Sequence, residues 1–384
     1  MRRTAQYAAI LSFCLSFVGL SQPLRPLLAD TPTPTSAAAL QYTKILHIPY
    51  VTSIYGIIPV VWTAWNPIGS VFAAVYQYDV YDVPNPIHIL DGGSGSSVQE
   101  LGSMESTGNS TFAWSPDGKR IAAILSGSNN VIKIWALAGK PETSPITIRR
   151  IGEPYPYEIF WSPDGLELAE TEFVPSPLGE SGNIVLFIWD TKTGKLISSH
   201  PYMTFGSWSP DGKKMVVLAY RASKSFLQIV DPTTFQLLST FPALPDDEGI
   251  GYVIWVPDNR RMIGANCFSG GNCDLWLWDV QTGRVDKHFE QNNISTSDLS
   301  QNTFVLNATG TLLASTFWNA GSTVYLWDVQ SGRLLNSLDA HDRIVSLSWN
   351  HSQDLLLLGS IDGTIQVWKV QRALGTSAGA TEAR

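Results

Sequence analysis

Catalysis near neutral pH needs acid–base or nucleophilic side chains that converge, and this 384-residue chain offers few candidates. Its six histidines, His47, His88, His200, His288, His341 and His351, are dispersed, with no HExxH or other metal-ligand spacing. No GxSxG turn is present to carry a serine nucleophile. The apolar runs IPVVWTAW, STFAW, YEIFW, MTFGSW, GYVIW, TFVL and IVSLSW contain one ionisable residue, Glu158. One carboxylate cannot build a paired acid and base or a ligand cage. The expectation is a protein without catalytic residues, metal or cofactor. Cys267 and Cys273 lie in ANCFSGGNCDLWLW, where strand-like runs flank a Phe-Ser-Gly-Gly-Asn turn. They can face each other across a hairpin, which reads as a disulfide in an oxidising compartment, with two reduced thiols as the alternative. Zinc would need a His or third Cys nearby in sequence, and there is none.

The elements that would position these residues are legible in the composition. Charged residues are 15% of the chain, below the roughly 25% of an average soluble protein, so long solvated helices are not expected. Hydrophobic residues make up 44%, enough for a large core. Fourteen Trp, 31 Gly and 23 Pro describe an aromatic, turn-rich β protein. The formal charge of −8 argues against nucleic-acid partners, which need a basic footprint.

Internal repetition decides the architecture. WSPDG occurs at Trp114–Gly118, Trp161–Gly165 and Trp208–Gly212, with weaker copies starting at Trp65, Trp255, Leu306 and Trp349. The anchors at 65, 114, 161, 208, 255, 306 and 349 are spaced by 49, 47, 47, 47, 51 and 43 residues. A second anchor follows about twenty residues after each: Leu90-Asp91, Trp135-Ala136, Trp189-Asp190, Val230-Asp231, Trp278-Asp279, Trp327-Asp328 and Trp368-Lys369. Pro presets φ for a turn, Asp bonds its own backbone and Gly takes the left-handed position. Each unit therefore reads as strand, turn, strand, loop, strand, turn, strand, at the period of a propeller blade.

These motifs resemble the WD-repeat β-propeller family over Thr43–Val370, and the WSPDG turns resemble its bacterial WD-like variety, also seen in the periplasmic Tol-system propeller. The resemblance implies an all-β, seven-bladed ring of four-stranded antiparallel blades. It also implies that His341, Ser360, Asp362 and Trp368 form that family's buried hydrogen-bond network in the last blade. Lys369 stands where the family has Asp, and the other units lack the His, so the network would be a one-blade feature.

After Trp368 the chain runs into a small, polar tail, 371–384, leaving the seventh blade one strand short. Lys44–Ile48 precedes the first inner strand, expected at Ile58–Trp65, and would supply the missing edge. Upstream, Met1-Arg2-Arg3 and the uncharged stretch Tyr7–Leu20 read as a signal peptide over 1–29, or as an uncleaved anchor that would tether the protein to a membrane. Residues 30–42 read as a Pro/Thr/Ala linker to a propeller at 43–370. The expected location is outside the cell or at its surface, as a monomeric ring.

In this blade order the SPDG and TG turns share one face, and the variable loops occupy the other. Binding residues tend to sit on variable loops over a rigid scaffold. On that face Tyr76, Tyr78, Asp79, Tyr81, Tyr155, Tyr157 and Trp318 read as aromatic platforms with an acidic rim. The expected function is non-catalytic binding of one or more unidentified proteins. Recognition of carbohydrate or a small ligand is the alternative, and a loop-borne enzyme site the third reading.

Overall fold

The computed structural model describes residues 40–49, 51–53, 56–58, 60–76, 85–104, 112–125, 131–137, 145–150, 156–174, 183–221, 224–241, 250–267, 273–289, 304–316, 322–351 and 354–372. They form seven four-stranded antiparallel sheets arranged as blades in a ring, plus one two-stranded hairpin. Strands pair in chain order in blades 1 to 6, and the first strands of neighbouring blades touch around the centre at five of the joints. These inner strands are Val60–Trp65, Phe112–Trp114, Pro156–Trp161, Met203–Trp208, Ile250–Trp255, Phe304–Leu306 and Ile344–Trp349.

A blade packs on a neighbour through both faces, so its second strand is apolar without alternation. Leu312–Thr316 and Leu355–Ser360 are buried at every residue. The outer strands Leu237–Thr240 and Arg284–His288 are exposed at every residue, the latter alternating charge along an edge that must resist further pairing. The core is accordingly divided. Seven apolar clusters each fill one joint between neighbouring blades, such as Ile132, Ile148, Leu168 and Trp189 between blades 2 and 3.

Leu40–Ile48 pairs antiparallel with Ile365–Arg372 as the outer strand of blade 7, and Lys44 Nζ lies 5.1 Å from the Trp368 ring centroid. The described strands thus reach beyond the expected bounds of 43 and 370 at both ends. The first inner strand is shorter than expected. Ile58 belongs instead to a hairpin of Val51–Ser53 with Gly56–Ile58, ahead of Pro59, which has no amide hydrogen for a ladder.

Two turn designs set the strand ends. In the SPDG turns Ser115, Ser162 and Ser209 donate to Asp117, Asp164 and Asp211 at 2.5, 2.6 and 2.7 Å, and the glycine follows at φ of +64°, +72° and +70°. In the third-to-fourth turns Asp91, Asp190, Asp231, Asp279 and Asp328 each accept from a backbone N–H and a hydroxyl three residues on. The Thr282 backbone N–H and then the Arg260 guanidinium hold Asp279 down at about 2.

Candidate functional site

The inner strands deliver a ring of tryptophans to the SPDG end of the propeller, with Leu306 in place of Trp in blade 6. In four blades the indole N–H reaches a carbonyl of the blade before it. Trp114 donates to Ala64 at 3.0 Å, Trp161 to Ala113 at 3.0 Å, Trp255 to Ser207 at 3.2 Å and Trp349 to Val305 at 3.1 Å. Each acceptor is the residue just before its own blade's anchor, so the repeat spacing visible in the sequence is also the spacing of a hydrogen-bonded hoop. The seam between blades 7 and 1 uses hydroxyls. Ser346 Oγ accepts from the Thr63 N–H at 2.9 Å, and Ser348 Oγ from the Trp65 N–H at 3.0 Å.

This end of the ring opens into a cavity of about 590 Å³. Its wall is built from the Trp-x-Pro repeat: Trp114, Trp161 and Trp208 alternate with Pro67, Pro116 and Pro163. Ile68, Phe160 and Ser207 add to it, and His351 from blade 7 is its one ionisable lining residue among the described residues. The indoles are largely buried, whereas Ile68 is 67% exposed at the rim. Charged Asp side chains stand in the surrounding turns. The Ser115 hydroxyl holds Asp117 below the usual carboxylate range, and Ser209 does the same for Asp211. A carbon-lined opening with scattered polar atoms can hold an extended apolar or proline-bearing segment. Among the described residues no three His, Cys, Asp or Glu side chains gather as a metal site.

Of the residues expected to bind a partner, Tyr76 is 6% exposed, and its ring meets His88 edge-on at 5.6 Å inside the joint between blades 7 and 1. It ends a second strand buried on both faces, so it presents no platform to solvent. Tyr78, Asp79, Tyr81, Tyr155 and Trp318 lie outside the described residues, as does the side chain of Tyr157 in Pro156–Trp161. The register makes Cys267 and Cys273 direct cross-strand partners.

The network expected of His341, Ser360, Asp362 and Trp368 is replaced by another. Trp368 donates its indole N–H to Gln366 at 3.1 Å, and Gln366 donates to the Ala340 carbonyl at 2.8 Å. Ser360 Oγ is buried with no hydrogen-bond partner among the described residues, and Asp362 accepts from Thr364. His341 is exposed at φ 71°, its backbone N–H donating to Asp339. Gln366, two residues before Trp368 on the same face, satisfies the indole directly and leaves the histidine no role there.

Sequence reasoning also missed a buried ionic cluster. Arg150 follows the outer strand of blade 2, and Glu170 and Glu172 lie on one face of Glu167–Val174 in blade 3. Arg150 Nε donates to Glu170 and stands 2.6 Å from Glu172 Oε1 as an ion pair, and the Trp189 indole donates to Glu170 at 3.0 Å. All three charged side chains are inaccessible to solvent. The available signal was the alternation Glu170-Thr171-Glu172 inside a run otherwise fit for a buried strand.

Fold and site define a seven-bladed propeller with a tryptophan hoop at its centre. The family model for the WD domain, G-beta repeat, matches residues 102–136 and 332–369, which with the seven blades is consistent with a WD-repeat-like propeller family. Propellers of that family generally mediate protein–protein interaction and are typically non-catalytic scaffolds.

Proposed function

We propose that this chain is a non-catalytic protein-binding module whose central opening at the SPDG end receives an extended, proline-bearing segment of its partner. The Trp and Pro wall of the 590 Å³ cavity carries this reading. Proline rings pack on indole and proline surfaces, and a polyproline II segment loses little entropy on binding. Titration calorimetry with a decaproline peptide tests it. The wild-type chain should bind, and Pro116→Asp and Ile68→Asp should each weaken binding at least about tenfold by placing a charge against an apolar ligand. Binding unchanged in both variants would exclude the opening.

A second reading keeps the partner on the opposite face. Tyr202 and Tyr220 favour it, 53% and 36% exposed and joined by a hydrogen bond from the Tyr220 N–H to the Tyr202 carbonyl. Capture that survives Ile68→Asp but fails with Tyr202→Ala would select it. Export belongs to the proposal in either case, supported by the cysteine pair in register. Non-reducing peptide mapping of the exported protein should recover Cys267 linked to Cys273. Two free thiols would remove that support.

A further inference from the structure

A single exposed aliphatic side chain is ordinary, but a group of them beside an apolar opening marks a contact surface. Blades 3 and 4 carry such a group at the SPDG end. The residue that follows the first-to-second-strand turn is polar in the other six blades, as at Lys119, Lys213 and Arg260. In blade 3 it is Leu166, 62% exposed. The Leu166 carbonyl accepts the Thr191 N–H at 3.0 Å, which sets it beside the turn that opens the outer strand Leu196–Pro201. Leu196 and Ile197 of that strand, with Leu237 and Leu238 of the blade 4 outer strand, are each 41% to 52% exposed. Ile197 and Leu238 are the extra residues of β-bulges, a position that holds Asp286 in blade 5. These two outer strands contain no Asp, Glu, Lys or Arg, whereas each of the other five contains at least one. Phe235 joins them. It stacks on His200 of blade 3 at 3.3 Å, at φ 55°, where the matching turns of four other blades have glycine. A bulky residue is rarely held in the left-handed region without a use for its side chain. Here the ring closes the seam between two apolar edges.

We infer, resting on the opening as the seat of the proline tract, that Leu166, Leu196, Ile197, Leu237 and Leu238 form an apolar strip for aliphatic residues flanking that tract in the same partner segment. The opening and the strip share blade 3. Trp161 and Pro163 line the cavity, and Leu166 follows in the same turn. Neighbouring strands lie about 4.8 Å apart, so the outer strand of a blade stands about 14 Å from the inner one. A polyproline II chain spans that distance in about five residues. One segment can therefore seat prolines in the opening and lay leucine-like side chains across the strip. Lys195 and Lys213, both exposed, give the strip the polar border usual of an interface.

Titration calorimetry on the full chain tests this with decaproline extended by Leu-Leu-Ser-Leu, at either end in separate peptides. The control for each is decaproline extended by Ser-Ser-Ser-Ser at the same end. At least one leucine peptide should bind about fivefold or more tighter than its serine control. Leu166→Lys and Leu238→Asp copy the residues this chain already carries at the matching positions, Lys213 and Asp286, so turn and bulge are kept. The double variant should lose the gain and bind decaproline within about twofold of wild type. Each single variant should lose part of it, and the singles decide if the double variant does not fold. A gain below about fivefold with both leucine peptides, or one that the variants retain, would overturn the strip, while decaproline binding would keep the opening. If decaproline itself does not bind, the reading of the opening falls. The strip then stands only if the wild-type chain binds a leucine peptide that the variants do not.

Discussion

The joints between blades 2 and 3 and between blades 5 and 6 use the same three positions with opposite chemistry. In each, a third-strand tryptophan pairs in register with a leucine, Trp189 with Leu168 and Trp327 with Leu313. Its indole N–H then reaches the residue two further along the second strand, Glu170 at 3.0 Å or Ser315 at 2.8 Å. The residue after the preceding outer strand closes the joint: Arg150 in one, Phe289 in the other, the latter meeting Trp327 edge-on at 6.1 Å. Phe289 and Ser315 bury a ring and satisfy one N–H. Arg150 and its acids satisfy the same N–H at the cost of desolvating three ionisable groups. The geometry of a blade joint is thus fixed by the tryptophan and its register, while the chemistry at the closing position is free to vary.

The comparison breaks most visibly at Arg150. Arg150→Ala strands two buried acids and should cost about 3–5 kcal/mol in denaturant unfolding. In the other joint, Ser315→Ala leaves a buried indole N–H unpaired and should cost about 1–3 kcal/mol, with no dependence on pH. A triple change, Arg150→Phe with Glu170→Ser and Glu172→Val, converts the ionic joint into the apolar kind. It should fall within about 2 kcal/mol of wild type or exceed it, because well-packed apolar groups often match a buried ion pair. The smallest effect should come from the rim. Asp164→Ala removes the acceptor for the Ser162 hydroxyl and the Leu166 N–H and should lower stability by about 1 kcal/mol without touching either joint.

The blade count and the turns were legible because each depends on local spacing: tryptophan at a near-constant step, then Ser, Pro, Asp and Gly in fixed order. The hoop was half legible. The tryptophans stood out, but their acceptors are backbone carbonyls of another blade, which sequence cannot display. The Arg150 cluster was hidden for the same reason, its partners being twenty or more residues away and brought together only by ring geometry. The histidine network misled, because a matching residue type at His341 says nothing of Gln366, the closer acceptor for Trp368. The cavity went unread in the sequence for a related cause. Short, repeated turns read as scaffold one blade at a time, and only in the ring do their Trp-x-Pro units converge on one opening.

Which end of the ring meets the partner can be settled by photocross-linking. A decaproline peptide carrying a photoreactive group is irradiated with the full chain, and the adducts are mapped by mass spectrometry. The account places them at Ile68, Pro116 and Pro163 around the opening, and none at Ile361 or Tyr202 on the opposite face. Adducts confined to Ile361 or Tyr202 would contradict it.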